Sequence, residues 1–160
     1  MGTMPEEDEL KAKILAEMTV DHSDALEKNY TLAKEFVRIT TEGKVDVIVK
    51  DRVGGVDKIA LYLIGKRYAQ RAGLATSEYV KNAELCNELG IIQGSLLPWL
   101  KTLRDSKIIV QGKRDKGEVL HAITLNAIER TLKTVSKKLS SQQSSKVEEE
   151  KTLGSANTGE

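Results

Sequence analysis

Residues 84–106, ELCNELGIIQGSLLPWLKTLRDS, decide the fold that this sequence predicts. Leu85, Cys86 and Leu89 recur at helical spacing, so the stretch opens with a short amphipathic helix. Gly90 follows at the point where that helix must end, since glycine adopts a left-handed backbone without steric cost. The sequence therefore predicts a short helix closed by a tight turn.

A second helix is predicted directly after this turn. Ser95 is a candidate N-cap, because its hydroxyl can accept a hydrogen bond from a free backbone N–H. Leu96, Leu100 and Leu103 recur at the spacing of one buried helical face. Pro98 is then expected in the first turn, where a backbone N–H has no partner within the helix.

Two short apolar strands flanking a basic loop are predicted next. Residues 107–110 and 119–123 are rich in β-branched or apolar side chains, as strands are. The segment between them has two glycines for the turn and three cations: Gly112 and Gly117, and Lys113, Arg114 and Lys116. A solvated hairpin tip has a similar composition. Three cations within four positions, directly after such a helix pair, favour contact with phosphates.

This order of elements resembles the winged helix-turn-helix of DNA-binding transcriptional regulators of the bacterial and archaeal kind. The resemblance covers roughly residues 55–123 and concerns the fold, not one particular protein. It implies an α+β, mostly α, winged-helix fold, with N-terminal helices and a strand before the domain and a C-terminal helix after it. It also implies double-stranded DNA as the partner, and no cofactor is expected.

Matching the second helix to that family's pattern gives a predicted DNA-reading face: Gln93, Ser95, Leu97, Pro98, Lys101 and Thr102. Gln93 can address adenine, and Lys101 suits phosphate or guanine. Leu97 and Pro98 offer no hydrogen bonds, so they would touch thymine methyl groups or another protein. Trp99 is either a packing residue or the anchor of a protein partner. The alternative function is therefore a protein–protein interaction module that docks through Leu97, Pro98 and Trp99.

Residues 124–139 carry apolar side chains spaced three and four apart, which is an a/d seam over two heptads: Leu125, Ile128, Leu132, Val135 and Leu139. Such a seam packs either on its own domain or against a second chain. We favour a helix that forms a homodimer. Residues 140–160 are poor in apolar side chains and predict a disordered tail.

The regions before residue 84 complete the predicted organisation. The chain divides into a loose N-terminus (1–8), a helical extension with one strand (9–53), the winged-helix domain (54–123), the C-terminal helix (124–139) and the tail (140–160). Within the extension, apolar spacing predicts helices over residues 9–18 and 24–40. Alternating Val45, Val47 and Val49 predict a half-buried strand over residues 44–50. Residues 56–72 predict the first helix of the domain, and Asn82 is the expected N-cap of the helix after it.

Composition limits the function. The formal net charge is +1, so DNA binding has to come from a local basic patch. A single cysteine, Cys86, excludes an internal disulfide, and its place on an apolar stripe predicts a small buried core residue. No ligand cluster, phosphate loop or nucleophile motif occurs, so neither a metal site nor an enzyme is expected. No apolar run approaches the roughly 18 residues of a membrane span, which predicts a cytoplasmic, nucleoid-associated protein.

Overall fold

A computed structural model describes residues 6–19 and 22–157, with side chains described for residues 8–19, 22–112 and 116–142. The fold is α+β, with 57% of the residues in helices and 14% in strands. The elements are α1 (Glu6–Glu17), α2 (Ala25–Lys28), α3 (Tyr30–Ala33), β1 (Val37–Ile39), β2 (Val45–Val47), α4 (Gly55–Arg71), β3 (Val80–Lys81), α5 (Asn82–Leu89), α6 (Gln93–Asp105), β4 (Ile109–Asp115), β5 (Glu118–Ile123) and α7 (Leu125–Asn157). Of the loose N-terminus predicted over residues 1–8, residues 1–5 lie outside this description, and residues 6–8 already belong to α1.

The helix predicted over residues 24–40 is wrong beyond Ala33. Two short helices, α2 and α3, occupy its first part, and β1 occupies its end. The reason is strand pairing: Val37 and Ile39 are β-branched and lie opposite Val47 and Val45 in an antiparallel ladder. Of the half-buried strand predicted over residues 44–50, only β2 is confirmed, and both of its valines are buried. Residues 48–50 form a turn, in which Val49 is also buried.

The core is centred on α4, whose residues 59–65 are all buried. Gly65 allows β2 to approach closely, because a Cβ atom at this position would lie 2.4 Å from Val45 Cγ1. The β1–β2 hairpin and α4 therefore contribute to one continuous core with α5, α6 and the first half of α7.

A second, three-stranded sheet has the order β3-β5-β4, with both pairs antiparallel. Its three strands alternate with helices along the chain, in the element order α4, β3, α5, α6, β4, β5. The predicted left-handed end of α5 is confirmed, since Gly90 has φ 65° and ψ 36°.

The two predicted N-caps are wrong. The cap of α5 is Lys81 and the cap of α6 is Ile92, each with extended backbone and no capping side chain. Asn82 is instead the first residue of α5, and its Oδ1 lies 2.7 Å from His121 Nε2. Because α6 begins two residues before Ser95, Pro98 lies inside the helix and not in its first turn.

The predicted intermolecular seam of α7 is wrong for this structure. Ile128, Leu132, Val135 and Leu139 are buried, and Leu125 is partly buried against the same core, so the stripe is already covered by its own chain. Homodimerisation itself stays a prediction, but these side chains do not provide its surface.

α7 also continues past its predicted end at residue 139. Its backbone is helical to Asn157, where the sequence predicts a disordered tail, and residues 158–160 lie outside the description. The run from Lys146 to Lys151 is dominated by Lys and Glu, which have high intrinsic helix propensity. Among the described residues, no helix has both the length and the apolar character that a membrane span requires.

Candidate nucleic-acid interface

The outer side of α6 carries the predicted DNA-reading residues. Five of the six are exposed, namely Gln93, Leu97, Pro98, Lys101 and Thr102, whereas Ser95 is half-buried. The opposite side packs inward through three leucines with at most 1% exposure, Leu96, Leu100 and Leu103. The structure therefore brings the predicted residues together on one accessible helix face.

The first turn of α6 presents backbone donors beside this face. The N–H groups of Ser95 and Leu96 both bond to the carbonyl of Ile92 at 3.0 Å, while those of Gln93 and Gly94 precede the helical ladder. A Cβ atom at Gly94 would meet nothing within 4 Å, so the space around this turn is open. Donors at a helix N-terminus suit anions such as phosphate.

Pro98 changes the hydrogen bonding in the middle of α6. It has no N–H to donate to the carbonyl four residues earlier, that of Gly94. The hydroxyl of Thr102 donates to the carbonyl of Pro98 at 3.1 Å. Thr102 therefore has its proton engaged within the helix, and its oxygen is left mainly as an acceptor.

Trp99 acts as a packing residue in this structure. Its side chain is partly buried against the core, and a Cβ atom at Gly55 would lie 2.3–2.5 Å from three atoms of its ring. Gly55 is the first residue of α4, so the indole ring joins α6 to the start of the central helix. This contact favours the packing interpretation of Trp99 over a partner anchor.

The predicted wing loop is mostly strand. β4 runs to Asp115 and β5 begins at Glu118, which leaves only two turn residues. Lys116 and Gly117 have φ of 52° and 82°, and positive φ at both central positions is the mark of a type I′ hairpin turn. The prediction that Gly112 forms part of the turn is wrong. It lies within β4, where a Cβ atom would come within 2.5 Å of the Tyr79 ring.

A β-bulge occurs at the basic pair of the wing. Gly112 pairs with Leu120 and Asp115 pairs with Glu118, so the backbone of residues 113–114 lies opposite the single residue Val119. Such a bulge bends the strand and increases its twist. The side chains of Lys113 and Arg114 lie outside those described, while Lys116 is exposed at the tip. Sequence reasoning missed the bulge, because it depends on the register between the strands.

A cleft of about 500 Å³ separates the wing from the helix pair. Its walls come from the start of α5, from Gln93 of α6, and from the wing tip: Asn82, Ala83, Cys86, Gly117, Glu118 and Val119. Cys86, predicted to be buried, is half-buried and lines this cleft. The cleft therefore joins the first residue of α6, Gln93, to the tip of the β4–β5 hairpin.

His121 fixes the wing strand to the start of α5 beside this cleft. Its ring is 1% exposed, and Nε2 donates to Asn82 Oδ1 across 2.7 Å. Burial, followed by the positive charge of Arg104, lowers the pKa of His121 to about 4. Its Nδ1 has no hydrogen-bond partner within the described part of the chain. The imidazole is therefore neutral near pH 7 and supports Asn82 from β5.

The charge around the cleft is locally positive. Residues 107–118 hold four basic and two acidic residues in a chain whose net charge is only +1. Glu118 Oε2, next to the hairpin turn, lies 3.5 Å from Lys81 Nζ on β3. Lys101 on α6 and Lys116 at the hairpin turn are both exposed. These cations are the candidates for the local basic patch that DNA binding would require in a chain of this net charge.

The described residues hold no group of three or more His, Cys, Asp or Glu side chains able to bind a metal ion. No protein-family model, curated protein or solved structure was found to match the chain.

Proposed function

We propose that this chain is a winged-helix protein that binds double-stranded DNA and regulates transcription. One observation carries the proposal: the order α4–β3–α5–α6–β4–β5, closed by a β3-β5-β4 sheet, exposes the predicted face of α6 beside a basic hairpin. A helix and a neighbouring two-stranded ribbon fit the major groove and the adjacent backbone of a duplex. In this proposal the protein is not an enzyme and works beside the nucleoid.

The two parts of the interface have different tasks. α6 enters the major groove, where Gln93 and Lys101 reach base edges or phosphates and Leu97 contacts thymine methyl groups. The wing follows the backbone through Lys116 and, as predicted from sequence, Lys113 and Arg114. Because α6 offers few polar groups, most of the affinity comes from phosphates, and binding weakens steeply as salt rises.

The test is fluorescence anisotropy of a labelled random-sequence duplex, titrated with the protein at two salt concentrations. We expect a dissociation constant of about 10⁻⁴–10⁻⁶ M at physiological salt and tighter binding at low salt. The double variant Lys113→Ala/Arg114→Ala should weaken binding to every sequence alike and lower the salt slope by about 1 for each lost phosphate contact.

A matched control removes two cations elsewhere. Lys50 and Lys137 are exposed and lie outside α6 and the wing, so Lys50→Ala/Lys137→Ala lowers the net charge equally. This control should bind DNA almost as the wild type does. No binding at low salt, or equal weakening by both double variants, would contradict the proposed interface.

A second candidate function is docking of a protein on the apolar part of α6. Ile92 is 74% exposed and Leu97 is 49% exposed, with Pro98 exposed beside them. Exposed apolar side chains of this size suit a protein contact. This alternative predicts negligible DNA affinity, and loss of the partner complex on Leu97→Ala with little effect from the wing variants.

A further inference from the structure

The first helix exposes an apolar side in the single chain. Leu10 is 58% exposed, Ile14 39%, Leu15 57% and Met18 77%. Every described side chain from Asp8 to Thr19 is exposed, so this side is not part of the core. Leu10 and Ile14 on α1, and Met18 directly after its end, recur every four residues and form one stripe. An exposed stripe of this kind marks a surface that another molecule covers.

An apolar pocket of about 220 Å³ lies elsewhere on the same chain. Its wall is formed by Ala33, Val37, Ile39 and Tyr68. The Tyr68 hydroxyl donates to the carbonyl of Leu26 at 2.6 Å, which fixes the ring in the wall. This volume is smaller than that of small-molecule sites, which is about 300–1,000 Å³. It suits the ends of a few aliphatic side chains from a docked helix.

The pocket and α1 carry opposite charges. The rim of the pocket holds Lys34, whose Nζ lies 5.2 Å above the centre of the Tyr30 ring. It also holds Arg38, whose side chain is 70% exposed and forms a 3.8 Å surface ion pair with Asp46, so Lys34 is the main cation of the rim. Residues 6–17 hold five acidic and two basic residues. By helical geometry, Asp8 and Glu17 flank the apolar stripe on its two sides. An acidic amphipathic helix therefore meets an apolar pocket with a basic rim.

We propose that this pocket receives α1 of a second copy of the chain. Each chain carries both the helix and the pocket, so a two-fold axis produces two reciprocal contacts. Stable interfaces bury about 1,200–2,000 Å² in total, and the two symmetry-related contacts contribute jointly to that area. The dimer is thus built by the N-terminal helix and not by α7. The pocket shares no lining residue with the cleft of the candidate DNA interface, so this inference does not rest on the proposed function.

The test is the molar mass of the full chain in solution, measured by light scattering and sedimentation over a wide concentration range. The wild type should be a dimer. Leu10→Asp/Ile14→Asp on α1 and Tyr30→Asp at the pocket should each yield monomers. Both sites are exposed, so each monomer should keep the wild-type circular dichroism spectrum.

Two controls match the charge changes. Ala12→Asp/Ala16→Asp alters the opposite side of α1 by the same two units. Thr31→Asp adds one negative charge beside Tyr30 but outside the pocket lining. Both should stay dimeric. Mixing the α1 variant with the pocket variant should form a heterodimer held by one intact contact, weaker than the wild type.

Three results would overturn the proposal. The first is a wild-type monomer at every concentration. The second is a dimer that survives Leu10→Asp/Ile14→Asp. The third is a dimer lost with the α1 variant but kept by Tyr30→Asp, since α1 would then pair with itself and the pocket would have no role.

Discussion

Helices α7 and α1 carry similar apolar stripes, but one stripe is buried and the other is exposed to solvent. The α7 stripe is buried in its own chain, with Ile128, Leu132 and Val135 at 0% exposure. The α1 stripe is exposed, with Leu10 and Met18 both above half. Spacing therefore identifies an apolar face but not what covers it. The same contrast recurs in this molecule for glycines, histidines and ion pairs, where one member is enclosed and its counterpart is open.

The largest expected difference in stability is between a leucine of the buried α7 stripe and a leucine of the exposed α1 stripe. Leu132→Ala should lower the free energy of unfolding by about 2–5 kcal/mol, because it leaves a cavity in the core. Leu10→Ala should change it by less than about 0.5 kcal/mol when the protein is dilute and monomeric. Urea unfolding, followed by fluorescence of the single tryptophan, measures both. Equal losses would mean that α1 packs on its own domain.

The two histidines give the next largest difference, and it depends on pH. The unfolded chain binds a proton at His121 near pH 6.5, whereas the folded chain binds it only near pH 4. Stability is therefore complete above pH 6.5 and falls as the pH drops toward 4, by up to about 2 kcal/mol at pH 5.

Urea unfolding of the wild type and of His121→Gln at pH 7 and pH 5 tests this assignment. The variant should lose stability at pH 7 but show a smaller further loss at pH 5 than the wild type. His22→Gln removes the exposed imidazole and serves as the matched control. An imidazole of His121 that titrates near pH 6.5 by NMR would contradict the assignment.

Two helical glycines sharpen the comparison on a smaller scale. Gly65→Ala should cost about 1–2 kcal/mol, since the new Cβ atom meets Val45 Cγ1 at 2.4 Å and this overpacking exceeds the gain in helix propensity. Gly94→Ala has open space and should stabilise α6 by up to about 1 kcal/mol. Thermal unfolding compares the two variants. A stabilising Gly65→Ala would show that β2 and α4 are not in close contact.

The smallest expected effect concerns two Lys–Glu pairs. Glu84 Oε2 accepts from the Tyr62 hydroxyl at 2.5 Å and lies 3.2 Å from Lys66 Nζ, in a half-buried contact between α4 and α5. Glu84→Gln should cost about 0.5–1.5 kcal/mol. The pair Glu129–Lys133 is exposed, so Glu129→Gln should leave stability unchanged within error. Chemical unfolding at low and high salt checks both, and a larger loss for Glu129→Gln would reverse the comparison.

The sequence predicts the helix pair and its exposed face well, because local signals control them. Gly90 ends α5 as expected, and the three buried leucines of α6 determine which side faces outward. The N-cap predicted at Asn82 fails for a non-local reason: its side chain bonds to His121, which is 39 residues away. The one predicted at Ser95 fails because α6 already begins at Gln93. The same holds for β1, since only pairing with β2 turns residues 37–39 into a strand.

The candidate site is predictable in its residues but not in its shape. The cations of the wing can be read from the sequence, whereas the bulge and the cleft depend on strand register and packing. Trp99 shows the same limit. Its type suits both a core and an interface, and only the contact with Gly55 distinguishes them.

The bulge and the turn give the wing two independent adjustments. The two-residue turn at Lys116 and Gly117 fixes how far the hairpin reaches, because each added pair of strand residues extends it by about 6–7 Å. The bulge at residues 113–114 fixes where the hairpin points, because it bends the strand below the tip. The length of the hairpin and its direction can thus change separately. Insertion of residue pairs at the tip lengthens the hairpin, while removal of the bulged residue changes the direction in which it points. Under the proposed function, altering the hairpin alone would adapt the same α6 to duplexes of different groove width.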